Sequence, residues 1–150
     1  MIVADNDVNP PVEFANIRAQ IMATAPIIGP PASTFVAPNA PLMSAGVNPE
    51  ITVLMLPWTG VIGSLSTMCA QSAWNGAPGI ARCVDALATC TGADKWPITK
   101  LSKMKLRALI ASAPIAKPDL SPSYVWSENT NLVPLNDPIF DQVKAFLRAF

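Results

Sequence analysis

Ile51-Thr-Val-Leu-Met-Leu-Pro57-Trp-Thr-Gly-Val-Ile-Gly-Ser-Leu-Ser-Thr-Met-Cys-Ala70 contains no charged side chain. The stretch around it is nearly as neutral: between Arg18 and Arg82 the only charge is Glu50. A segment this poor in charge cannot face water along its whole length, so its own fold, lipid or other protein must cover it. Which of the three covers it decides both the fold and the function.

Local signals favour a helix at the start of this stretch. Asn48-Pro49-Glu50 supplies a cap, a proline suited to the first helical position and an acid for the first turn. Ile51–Leu56 is short enough to read as a helix or a buried strand, and the cap signal tips it to helix. Pro57 ends it. Thr59 is the expected cap of a second segment, with Val61, Leu65 and Met68 at helical spacing and Asn75-Gly76 as its end.

Working outward, Asn9-Pro10 opens a helix over 10–24, with Phe14, Ile17 and Ile21 on one face. Residues 1–9 read as a terminal arm. Residues 26–48 hold five prolines and two glycines, which forbid a helix. Ile27, Ile28, Phe35, Val36, Leu42 and Met43 lie among them, unlike the polar filling of a solvated linker. This predicts an extended arm on an apolar surface, either a partner's or the protein's own.

Beyond the central stretch, helices are predicted over 80–91, closed by Gly92, over 98–113, capped by Thr99 or Ser102, and over 138–149, started by Asn136-Asp137-Pro138. Pro114, Pro118 and Pro122 frame a second extended stretch carrying Tyr124 and Trp126. The expected fold is therefore one mainly α domain over 1–150, its short helices joined by Pro-rich extended segments with little or no β-sheet.

The bulk numbers agree. Of 150 residues, 51% are hydrophobic and 13% charged, the latter about half the usual share. Net charge is zero and mean hydropathy +0.35, which favours association over mutual repulsion. Histidine is absent, and with it the commonest zinc ligand and neutral-pH proton shuttle. No nucleophile elbow, P-loop or dinucleotide fingerprint occurs, so neither catalytic residues nor a cofactor or metal site is expected. Cys69, Cys83 and Cys90 read as buried free thiols. The acidic N-terminus, Met1-Ile-Val-Ala-Asp5, lacks the basic start of a secretion signal.

Composition points to a structural subunit of a large assembly that meets other subunits, copies of itself included. A minor capsid or cement protein of a virion is the expected type. The expected interface comprises Ile27, Ile28, Phe35, Val36, Leu42, Met43, Trp58, Tyr124 and Trp126. Two alternatives accompany it. One is an accessory subunit of a membrane complex, with residues 51–70 as a single lipid-facing helix. The other is a small helical nucleic-acid-binding protein. Five of the ten basic residues fall within 95–107, and Lys100, Lys103 and Arg107 share a helical face able to touch phosphates.

Overall fold

Ile51–Leu56 is a β-strand in the computed structural model, and all six of its residues are buried. The structure describes residues 1–24, 36–47, 49–112, 125–126 and 132–149. Among them the fold is mainly α: five α-helices and one small three-stranded sheet. They form two compact units, residues 1–64 and 65–150.

In the first unit, β1 (Ile2–Asp5) leads to α1 (Pro10–Thr24), then β2 (Ser44–Ala45) and β3 (Ile51–Leu56). The order across the sheet is β1-β3-β2. β1 runs parallel to β3, with Ile2 opposite Val53 and Asp5 opposite Leu56. β2 is antiparallel to β3, with Ser44 opposite Thr52, and their hydroxyl oxygens lie 2.7 Å apart. Residues 2–5 are thus a strand rather than an arm, and 51–56 is a strand rather than a helix. Both find backbone partners remote in sequence: β1 pairs along one side with β3, and β3 pairs with β1 and β2 on its two sides. A central strand finds backbone partners on two sides, and the β-branched Ile51, Thr52 and Val53 suit a buried pleated surface. That gain outweighs a local cap signal.

α1 has the predicted bounds. Asn9 Oδ1 accepts the Val12 N–H at 3.4 Å, and Pro10 occupies the first turn. Phe14 and Ile21 pack with Ala37, Ile51, Val53 and Met55, and the half-buried Ile2, Ala4 and Ile17 lie against that cluster. The described part of the 26–48 segment therefore lies on the unit's own core: Ala37 and Pro38 are buried, and the Leu42 N–H donates to the Val53 carbonyl at 2.9 Å.

The second unit is helical: α2 (Leu65–Gly76), α3 (Pro78–Thr91), α4 (Ile98–Ser112) and α5 (Asp141–Ala149). α2 starts at Leu65, so Thr59 caps nothing and residues 51–70 are not one helix. Among the described residues, no helix is long and apolar enough to cross a membrane. Gly92 ends α3 as predicted, with φ 72° and its N–H donating to the Thr89 carbonyl. That left-handed conformation favours glycine. α4 begins at Ile98 directly after Pro97, so Ser102 is a buried helix-interior residue and not a cap. Asp137 caps a short 3-10 turn before α5, its Oδ1 accepting the Ile139 N–H at 2.9 Å.

Small residues let these helices approach closely. Ala73, Ala81 and Ala88 are buried alongside Met68, Val84, Leu106, Leu109 and Ile110. Asp85 is a cross-link between helices. Its Oδ1 accepts from Lys105 Nζ at 2.6 Å and its Oδ2 from Trp74 Nε1 at 3.2 Å, while the ammonium lies 4.8 Å from the Trp74 ring centre. One carboxylate thus links α2, α3 and α4. Only Cys69 is a buried thiol; Cys83 and Cys90 are exposed and free.

Candidate functional site

Two surfaces stand out, one in each unit. The first follows the outer edge of β1. Because β1 is terminal in the sheet order, no strand pairs along that edge among the described residues. Beside it runs an open groove of about 470 Å³, lined by Ile2, Val3, Ala4, Ile17, Gln20, Ile21, Thr24 and Ile51, with no ionisable side chain among the described residues. Alternation along the strand turns Ile2 and Ala4 towards the core cluster, and leaves Val3 52% exposed on the other face. Met22 on α1 is 57% exposed, adding to the unit's uncovered apolar area.

Past the C-terminal end of β1, the fully buried Asn6 fastens the turn that follows β3. Its Nδ2 donates to the Trp58 carbonyl at 2.6 Å and to the Val61 carbonyl at 2.7 Å. The Gly63 N–H donates to the Asp7 carbonyl at 2.8 Å, with Gly63 at φ 138°. This arrangement sets backbone geometry and brings no set of catalytic groups together. Among the described residues there is also no cluster of three or more Cys, Asp or Glu that could hold a metal ion.

The second surface is the polar face of α4. Lys100, Lys103 and Arg107 are all exposed, as their spacing predicts. They divide into two environments. Lys100 Nζ sits 3.9 Å from the centre of the Trp96 ring, a cation–π contact. Lys103 and Arg107 instead share a cavity of about 330 Å³ with Ser66 of α2 and Leu106. Neither makes an ion pair among the described residues.

Of the interface residues expected from sequence, Ile27, Ile28, Phe35 and Tyr124 lie outside the described residues. Val36 and Met43 are 47% and 55% exposed. Leu42 is half-buried at φ 67°, held by its bond to Val53, and so serves the fold. Trp58 is half-buried, and its carbonyl is engaged by Asn6. Trp126 is 40% exposed beside the buried Val125. Sequence reasoning misses Val3, Asn6 and Ser66. The alternation Ile2-Val3-Ala4-Asp5 is too short to stand out, and a lone Asn or Ser carries no signal before its neighbours are known.

No protein-family model, curated protein or solved structure matches this chain.

Proposed function

We propose that this chain is a structural subunit of a multi-protein assembly, and that it joins a second copy of itself along the outer edge of β1. The supporting observation is that edge. An exposed strand edge offers unpaired N–H and C=O groups to another chain, and proteins that avoid such pairing place charge or proline there. Here the exposed side chain at the strand's centre is Val3, and the described residues lining the adjoining groove are mostly apolar and carry no charge.

A second copy suits this edge. The chain has zero net charge, so copies do not repel one another at long range. Antiparallel pairing about a two-fold axis at Val3 sets Ile2 against Ala4 and Val3 against its counterpart. It also keeps the two Asp5 carboxylates apart, whereas parallel pairing would set them side by side at a cost. A minor capsid or cement protein of a virion, built from many copies, is one assembly of this kind.

Size-exclusion chromatography with light scattering tests the proposal over a wide concentration range. The unmodified chain is expected to be a dimer or larger, and Val3→Lys, at an exposed position, a folded monomer. A chain that is monomeric throughout overturns the reading, as does a Val3→Lys variant that associates just as strongly.

A further inference from the structure

We infer that Ser66, Lys103 and Arg107 form a binding site for a phosphate group. The inference rests on the second unit alone and is independent of the strand edge. The cavity they line, about 330 Å³, carries two cations and one hydroxyl and no carboxylate among its described lining residues. Both cations are exposed and free of ion pairs among the described residues, so neither has to leave a carboxylate before meeting a ligand. The guanidinium of Arg107 is a planar fork of donors suited to two oxygens of one phosphate. The Lys103 ammonium is a compact charge with donors that rotate to fit, and the Ser66 hydroxyl can donate to a further oxygen.

The contrast with Lys105 on the same helix is instructive. Its ammonium is held by Asp85 at 2.6 Å over the Trp74 ring, which commits it to the fold. α4 therefore separates one structural cation from two uncommitted ones. Lys100 continues the row of Lys103 and Arg107, and these three positions span about 10 Å along the helix axis. A single phosphate needs only the cavity; a phosphodiester chain would also run past Lys100. The extended row makes the nucleic-acid backbone the favoured source of the phosphate, with a free phosphorylated molecule as the other.

Two probes separate those sources: a fluorescently labelled single-stranded oligonucleotide of mixed sequence, followed by anisotropy across a salt series, and inorganic pyrophosphate, followed by calorimetry. For a strand, Lys103→Ala and Arg107→Ala should each weaken oligonucleotide binding about tenfold, from loss of a charge-assisted hydrogen bond. The double variant should lower the slope of log affinity against log salt by about 1.4, or two phosphate contacts. Ser66→Ala should cost about threefold. Lys144→Ala, removing a cation paired with Asp141 on α5, should leave affinity unchanged. Pyrophosphate binding that depends on Lys103 and Arg107, without oligonucleotide binding, supports the site with the small-molecule source. The site is overturned if neither probe binds, or if binding survives the double variant. It is also overturned if Lys144→Ala weakens binding as much as the double variant does. Circular dichroism and thermal midpoints of the variants check that these exposed substitutions leave the fold intact.

Discussion

The two units answer the same shortage of charge in different ways. Residues 1–64 bury their most apolar run as a strand, with backbone partners on both sides and α1 packed on one face. Residues 65–150 bury alanines and aliphatic side chains between helices that satisfy their own backbones. The consequence appears at the surface. A sheet leaves an edge, and in the first unit the exposed side chain at the centre of that edge is the apolar Val3. Helices leave faces, and in the second unit α4 carries cations on its outer face. The lesson is that secondary structure decides which groups remain to be satisfied: backbone at a strand edge, side-chain charge on a helix.

Core truncation gives the largest test of this contrast. Met55 and Leu109 are 1% and 0% exposed, one in each unit. Met55→Ala and Leu109→Ala should each cost about 3 kcal/mol, as large-to-small changes in tight cores do. Hydrogen exchange read by mass spectrometry should then show Met55→Ala loosening peptides from 10–24 and 51–56. Leu109→Ala should loosen those from α2 and α4. If either variant accelerates exchange equally throughout the chain, the division into two units loses its energetic meaning.

A smaller effect sharpens the account of the first unit. Asn6→Ala removes two hydrogen bonds to the Trp58 and Val61 carbonyls, for an expected loss of about 2 kcal/mol in denaturant unfolding. A loss within a few tenths would mean that the turn after β3 is held by its backbone alone.

The smallest effect concerns the cross-link in the second unit. Asp85→Ala frees Lys105 and Trp74, but the Asp85 side chain is 47% exposed, so solvent already screens the ion pair. The expected cost is about 1 kcal/mol in thermal or denaturant unfolding. Raised salt should narrow the difference between Asp85→Ala and the unmodified protein. A salt-insensitive difference would assign the contribution to packing.

Legibility followed the range of each signal. The start of α1 at Pro10, the Gly92 end of α3 and the Asp137 cap were all readable, because each is settled by neighbours within four residues. The amphipathic spacing of α4 correctly exposed Lys100, Lys103 and Arg107. The strand at 51–56 was not readable, because its partners Ile2–Asp5 and Ser44–Ala45 are remote in sequence and individually unremarkable. The same holds for Asn6, whose contact with Trp58 spans 52 positions.

By itself, then, the sequence determined the start of α1, the Gly92 end of α3, the Asp137 cap and the row of cations, since caps and helical periodicity act locally. Only the tertiary structure decided that Ile51–Leu56 is a central strand, that β1 is an edge, and that Ser66 joins Lys103 and Arg107. These depend on which distant segments supply the missing hydrogen-bond partners and walls, and no local propensity encodes that choice.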